Sequence, residues 1–442
     1  MPRRPSVLVS WYTTPEYIPP PHLADNQTTI GPTFERKYPD TKGYDYYTPS
    51  GQYDLAQTLR DTGASVDYDL IVVFADASCT NLPRNLASLK GRKLLLVGDT
   101  HHLSTPLQSM IQYVRSEPYE FIVSSYNRQH LHWFTEAGCP NVAWIPGACA
   151  RHISRPLSPQ RKIQVAFVGR LGRFHKRRTR LIDFLKRMDV PLLAGIATPT
   201  AAATHYSKST ISFNCSLNGD LNLRVFEILS AGGFLMTDRL APESGMDLLF
   251  REDVEVVYYD TQEELLDKVI YYFKHPDVAA AIARRGHQRF LKEHLPITKA
   301  TALLDWVFND RLDPLYAITN ERREEHAGGH ENFNQRLRVY EAVQALHEHN
   351  ESVSVLFDSH VSHDFMNDLR DLPRVDVSVL AMADDVTSAG QDVQSADGVQ
   401  LVTGQVALSH SWDLVVWRRR NSHRFLQRKI RTSGVIYVST DA

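Results

Sequence analysis

The chain of 442 residues has only four cysteines, Cys79, Cys139, Cys149 and Cys215, and no two of them form a C-x-x-C pair or a metal-ligand spacing. That scatter excludes a disulfide framework and fits a reduced, cytoplasmic protein. No apolar run approaches the eighteen or more residues of a membrane span. The basic start Met1-Pro-Arg-Arg-Pro is followed only by Val7-Leu8-Val9 before polar and proline-rich sequence, so the apolar region of a signal peptide is missing. An excess of one charge is missing too. A formal net charge of −2 gives no global reason to bind nucleic acid or a membrane surface, so any such affinity must come from local patches.

What is present is ordinary globular composition, 43% hydrophobic and 23% charged, in a chain too long for one core. Two or three domains are expected. Residues 6–150 alternate strand-like runs at 6–10, 70–74, 93–97, 121–124 and 142–145 with helical patterns near Asp54 and over 126–137, which predicts a parallel sheet covered by helices. Between the first strand and the first helix, residues 11–52 read as a long loop rich in proline, threonine and tyrosine. Its tyrosines Tyr12, Tyr17, Tyr38, Tyr44, Tyr46 and Tyr47 have the chemistry to stack on sugar rings, or equally to pin the loop to the surface. A second unit opens with Ile163-Gln164-Val165-Ala166-Phe167-Val168-Gly169-Arg170, runs through a basic helix over 173–187 and ends in helices near 262–273 and 278–294.

Within that unit, Asn222-Leu223-Arg224-Val225-Phe226-Glu227 begins a short helix closed by Gly232-Gly233, before a strand over 234–237. Phe226, Leu229 and Ser230 fall at helical spacing, and Arg224 and Glu227 stand three apart on one face. A helix N-terminus attracts anions, an arginine adds a two-pronged donor for phosphate, and a glutamate accepts two hydroxyl hydrogens from a ribose. The plainer alternative is a solvated ion pair worth a few tenths of a kcal/mol.

Asn-x-Arg-x-Phe-Glu, four residues, then Gly-Gly before an apolar strand resembles the donor site of CgeB-like (spore-maturation type) glycosyltransferases of the GT-B fold. The resemblance is strong over 206–238, loose elsewhere, and spans roughly residues 1–310. It implies an α/β protein with two Rossmann-like domains in GT-B arrangement, at 1–158 and 159–310. It also implies transfer of a sugar from a nucleotide-sugar donor, a UDP-sugar first among them, to the hydroxyl of a carbohydrate or glycoconjugate, with no metal required. Glu227 would be the ribose-binding second member of two glutamates separated by seven residues. The first would fall at Gly219 and is absent, with Asp220 next to it, which removes any inference about retained or inverted configuration. Gly169, Arg170 and Lys176 are similar to the residues that hold the donor diphosphate, with Arg173, Arg177, Arg178 and Arg180 competing for that role; Asn222 and Arg224 complete the donor set. The stretch 124–147, ending Trp144-Ile145-Pro146-Gly147, resembles the end of the N-terminal domain.

The reacting end must handle an acceptor hydroxyl. Leu94-Leu95-Leu96-Val97-Gly98-Asp99-Thr100-His101-His102 is a buried strand that ends in an acid and two histidines, at the carboxyl edge where open α/β sheets bind ligands. His101 best matches the family histidine. A histidine titrating near neutrality suits a base, with Asp99 orienting it, and His102 fits the same role. Metal binding by the histidine pair lacks a third ligand at useful local spacing.

After a polar linker at 311–332, residues 333–442 read as a smaller Rossmann-like α/β module, with a helix over 337–347 and strands at 353–357, 375–381, 400–403, 414–417 and 435–439. It loosely resembles a methyltransferase, but Asp358-Ser359-His360-Val361-Ser362 stands where a cofactor loop needs glycines, so the module is read as non-catalytic. Arg418, Arg419, Arg420, Arg424, Arg428, Lys429 and Arg431 form a basic cluster suited to a subunit contact or to an anionic acceptor, nucleic acid included. Two rivals stand beside a glycosyltransferase: a nucleotide-sugar epimerase of the same fold, and a silent nucleotide-sugar-binding scaffold.

Overall fold

The computed structural model describes residues 5–35, 42–155, 161–172, 175–318, 333–347, 350, 352–358, 363–380, 393–394, 400–402, 407, 409–417 and 429–437. Several residues singled out above lie outside them: Tyr38, Arg173, the linker from 319 to 332, the turn Ser359 to Ser362, and Arg418, Arg419, Arg420, Arg424 and Arg428. The chain divides into two compact units, Met1–Ile318 and Thr319–Ala442.

The first unit opens with β1 (Ser6–Ser10), β2 (Asn26–Pro32), β3 (Tyr46–Thr48), β4 (Gly51–Asp54), α1 (Leu55–Thr62), β5 (Leu70–Ala75), β6 (Asn81–Arg84), β7 (Arg92–Val97), α2 (Pro106–Ser116), β8 (Phe121–Ser124), α3 (Leu131–Glu136) and β9 (Val142–Trp144). Seven of these strands form one parallel sheet in the order β3-β2-β1-β5-β7-β8-β9, while β4 and β6 pair separately. The direction of strand progression reverses between β1 and β5, a topological switch point. Every residue of β5 is buried, as a central strand covered on both faces requires.

The loop expected over 11–52 is thus partly sheet. β2 lies parallel to β1, from Ser6 opposite Asn26 to Ser10 opposite Ile30. Its sequence, Asn-Gln-Thr-Thr-Ile-Gly-Pro, is polar because it lies near the sheet edge and half of it faces water, so no apolar run announces it. The helix expected over 126–137 starts later, as a 3-10 turn at Arg128–His130 that leads into α3.

A second parallel sheet, ordered β11-β10-β12-β13-β14, is built from β10 (Ile163–Val168), α4 (Lys176–Arg187), β11 (Leu192–Gly195), α5 (Pro199–Lys208), β12 (Ser209–Phe213), α6 (Leu223–Ser230), β13 (Leu235–Asp238), α7 (Met246–Leu249) and β14 (Val257–Tyr259). Three helices follow, α8 (Gln262–Lys274), α9 (Pro276–Glu293) and α10 (Pro296–Asn309). Here the switch point falls between β10 and β12. Val225, Phe226, Ile228 and Leu229 form the buried side of α6, and Gly232 ends the helix with φ of 72°, a conformation that costs a side-chain-bearing residue. α9 lies close against α6, because a Cβ on Gly286 would stand 2.8 Å from Leu229 Cδ2.

The expected second-domain range of 159–310 overshoots. α10 returns to the first sheet, where Ala300, Leu303, Trp306 and Val307 join the core of Val7, Val9, Leu70 and Leu94. Trp306 meets Phe121 edge-on at 5.0 Å, and Arg92 donates to the Val307 carbonyl. The expected linker is also packed at its start, with Tyr316 buried in that core and Ala317 bridged to Ala143.

The second unit contains α11 (Phe333–His347), β15 (Val353–Phe357), α12 (His363–Arg370), β16 (Val375–Leu380), β17 (Val393–Gln394), β18 (Gln400–Val402), β19 (Ser411–Trp412), β20 (Leu414–Trp417), β21 (Arg431–Thr432) and β22 (Val435–Tyr437). Its six-stranded sheet, β17-β18-β16-β15-β20-β22, is parallel except for the β17–β18 pair, as expected of a Rossmann-like module. The core is formed around Leu356, Leu380, Val415 and Trp417. No helix among the described residues is long and apolar enough to cross a membrane.

Candidate functional site

The loops that leave the two sheets of the first unit touch one another. Asn218, which follows β12, donates through Nδ2 to the His101 carbonyl at 2.6 Å, and Gln129 Nε2 donates to the Gly219 carbonyl at 3.1 Å. The Leu221 amide reaches the Tyr126 carbonyl at 3.3 Å, and the Arg170 guanidinium lies 5.4 Å over the Tyr17 ring. These contacts bring the carboxyl edges of the two sheets together, the edges at which parallel sheets bind ligands, and the side between them is termed the cleft.

On the second-sheet wall, most of the arginines serve the protein itself. Arg224 donates Nε to the Val168 carbonyl at 2.6 Å and Nη1 to Asn214 Oδ1 at 2.7 Å, with the guanidinium over Phe167 at 4.9 Å. Gly169 is required beside it, since a Cβ there would lie 2.4 Å from Arg224 Nη2. Arg224 is therefore neither the solvated half of a surface ion pair nor a free phosphate fork; it clasps the ends of β10 and β12. Arg178 does the same for α4: it is buried and donates to the carbonyls of Arg170 at 3.3 Å and Cys215 at 3.1 Å. Burial, then Arg224, lowers its proton affinity. Arg177 pairs with buried Asp238 at 2.6 Å. Arg170 and Lys176 keep exposed side chains at the cleft side of β10 and α4.

Asn222 holds the N-cap position of α6 with extended backbone, yet its side chain does not cap the helix. Its Oδ1 and Nδ2 are both shut off from solvent without a partner among the described residues. Buried amide atoms of this kind require a water or a ligand. Glu227, on the next turn, is half-buried; burial raises the pKa of its carboxyl, against the pull of Arg224 and Arg151. Arg151 was not legible as a site residue. It anchors the loop after β1, donating to the carbonyls of Pro15 at 2.9 Å and Glu16, and its charge faces Glu227.

On the first-sheet wall, His101 is buried and engaged at both nitrogens. Nδ1 faces Asn127 Nδ2 at 3.1 Å, and Nε2 faces Asp220 Oδ2 at 3.7 Å. Asn127 also donates to Thr100 Oγ1, which contacts His130 Nδ1 at 2.8 Å. Burial alone would raise the Asp220 pKa, but His101 and the Leu217 amide at 2.6 Å hold the carboxyl below the usual range. The residue beside the missing family glutamate thus reaches across to the histidine. The His102 side chain is less buried than that of His101: its Nε2 stands 3.7 Å from Asp99 Oδ2, and its Nδ1 is buried without a partner among the described residues. Burial and His101 depress its pKa, so the ring is neutral at pH 7 and retains a lone pair.

The expectation that the histidine pair lacks a third ligand is corrected here, because one ligand atom each from Asp99, His101 and His102 lies within 4.8 Å of the others. For His101 to bind a cation it must release Asn127 or Asp220. Of the loop tyrosines, Tyr12 and Tyr17 reach the cleft. Tyr44 is buried in the first core, and Tyr46 and Tyr47 belong to β3. Asp76, at the end of β5 beside the switch point, is buried at the same edge. Its signal in the sequence was an acid directly after a fully apolar strand.

Residues 151–305, which include the second sheet and α6, match the model of a family described as glycosyl transferase-like. Among solved structures, sucrose-phosphate synthase from Thermosynechococcus elongatus aligns at 11% identity over 69% of this chain and 100% of its own, with a TM-score of 0.48. HepE of Anabaena, in complex with UDP, aligns at 12% identity over 68% and 98%, with a TM-score of 0.48. A glycosyltransferase from Rickettsia africae aligns at 9% identity over 69% and 98%, with a TM-score of 0.49. No curated protein matches the chain in sequence.

Proposed function

We propose that the protein is a glycosyltransferase that takes a sugar from a nucleotide donor held by the second sheet and passes it to an acceptor held by the first. One observation carries this reading: the unpartnered Asn222 amide and the half-buried Glu227 carboxylate stand together at the start of α6, beside the switch point of the second sheet. A carboxylate there suits the two ribose hydroxyls, and the amide suits the adjoining base or ribose. Arg170, Lys176 and the free N–H groups at the start of α6 place positive charge where a diphosphate would lie, which allows donor binding without a metal. The glycosyl transferase-like match over residues 151–305 covers this half of the site.

In this reading His101 is a positioning residue, locked by Asn127 and Asp220, while the partly exposed pair of Asp99 and His102 is the acid–base candidate on the acceptor side. The Asn222-x-Arg224-x-Phe226-Glu227 pattern fits the CgeB-like group, and a UDP-sugar is the first donor to test. Four free thiols fit a reducing, cytoplasmic setting.

The test is binding and slow hydrolysis of a panel of sugar nucleotides by the wild type and Glu227→Ala. Selective binding that falls about thirty-fold to several-hundred-fold in the variant is expected, from the loss of two charge-assisted hydrogen bonds. Equal binding by both proteins would sink the donor assignment, and turnover of the donor with no acceptor into an epimer would replace transfer by epimerisation.

A further inference from the structure

Three adjacent strands of the first sheet, β1, β5 and β7, deliver Tyr12, Asp76 and Asp99 to one edge. Gly98 makes this possible. A Cβ on it would stand 2.9 Å from Asp76 Cβ and 3.3 Å from Tyr12 Cε1, so only glycine lets the carboxylate and the ring meet there. One oxygen of Asp76 is held by the Ser78 amide at 2.9 Å and by the Ser78 hydroxyl. No cation pairs with Asp76 among the described residues. The Tyr126 ring, 4% exposed, belongs to the core of the first sheet, and its hydroxyl is buried without a partner among the described residues. The ionisable groups that face that hydroxyl are Cys149, Asp99, Tyr17 and Asp76. At the mouth, Tyr17 is 62% exposed and carries Arg170 over its ring, while His102 lies beside Asp99.

We propose that this edge, formed by Tyr12, Asp76, Asp99 and Tyr126, is the acceptor subsite and selects an uncharged polyhydroxyl acceptor, a sugar, over phosphorylated or nucleic-acid acceptors. The proposal rests on the glycosyl-transfer reading above and names the substrate class of its second half. Carboxylates accept hydrogens from neighbouring hydroxyls of one ring, and tyrosine faces pack on its C–H surface. The orphaned Tyr126 hydroxyl adds a donor, which a carboxylate cannot be. A phosphate at the same place meets two carboxylates with no cation between them among the described residues, and like charges in a site of low dielectric repel strongly. Burial, together with Asp99, pushes the Asp76 pKa up to about 6, consistent with a carboxylate that has no compensating cation.

The full chain, without donor, is tested on an array of neutral and phosphorylated glycans and against a single-stranded DNA oligonucleotide. Wild type is expected to bind neutral glycans and neither anionic class. Asp76→Asn should reduce that binding at least ten-fold, and Tyr126→Phe by about three- to ten-fold. Tyr126→Phe removes a hydroxyl that no described protein group holds, so it decides the matter if Asp76→Asn does not fold. Preference for phosphorylated glycans or DNA, binding to no neutral glycan, or neutral-glycan binding by Tyr126→Phe equal to wild type overturns the proposal. Sugar-nucleotide binding in the same preparations separates the two readings: its loss with glycan binding intact overturns the donor assignment alone, and the reverse overturns this one alone.

Discussion

The two walls of the cleft treat charge in opposite ways. The second sheet brings Arg177, Arg178 and Arg224 to its edge and engages all three with carbonyls, an amide oxygen and Asp238, leaving Arg170 and Lys176 exposed. The first sheet brings Asp76 and Asp99, gives them hydroxyl and amide donors and one neutral histidine, and pairs neither with a lysine or arginine among the described residues. A basic run in the sequence therefore does not measure how much positive charge a ligand meets. What counts is which guanidinium groups the strand ends have already claimed, because a buried carbonyl without a donor costs about as much as a lost hydrogen bond.

That contrast is broken most directly by exchanging its extremes. Glu227→Ala should cost about 2 to 4 kcal/mol of donor binding at unchanged melting temperature, since no protein group among the described residues pairs with the carboxylate. Arg224→Met should do the reverse in kind: about 2 to 3 kcal/mol of folding stability in a urea titration, because it strands Val168 O and Asn214 Oδ1. Equal melting points for the two variants would erase the distinction between structural and ligand-facing charge.

The walls should also part in acid. Beneath α6, His294 is buried against Phe226 and Phe250, and burial with Lys299 nearby lowers its pKa to about 3. A folded-state pKa below the unfolded value of about 6.5 means the unfolded chain takes the proton first, so this contribution is intact above about pH 6.5 and is lost as pH falls toward 3. By pH 5 the loss is about 2 kcal/mol. Asp76 runs the other way, its raised pKa of about 6 adding stability as pH falls through 6. Melting temperature against pH in the wild type and His294→Phe should show the variant losing less between pH 7 and 5; parallel curves would remove His294 as the acid-sensitive group. The smallest effect is expected of Lys176→Ala, an exposed residue whose loss should weaken a sugar nucleotide about five- to ten-fold and leave stability within about 0.5 kcal/mol.

Much of the fold was open to reading because buried parallel strands are written as apolar runs. β1, β5, β7, β8 and β10 and the helix Leu223–Ser230 all stand where periodicity and glycine punctuation put them. β2 escaped because an outer strand is half solvated and therefore polar. The return of α10 escaped because a helical stripe shows that a face is buried without showing against what. Of the candidate site residues, Asn222 and His102 keep buried side-chain atoms without a partner among the described residues, while Glu227 and Asp99 are half-buried; the spacing that singled them out does not record this. Arg224, singled out by spacing, and Arg178, singled out by the family resemblance, hold carbonyls and the Asn214 amide oxygen of the protein itself.

By itself, then, the sequence determined the α/β class, the positions of most strands, the short α6 helix and the residue types at each strand end, because these depend on local propensity and on burial of one face. Only the tertiary structure decided that His101 is locked between Asn127 and Asp220, that Asp76 and Asp99 share an edge opened by Gly98, and which arginines remain for a ligand. Those outcomes depend on contacts between segments far apart in the chain, where packing distance selects the partner of each polar atom and no periodicity records the choice.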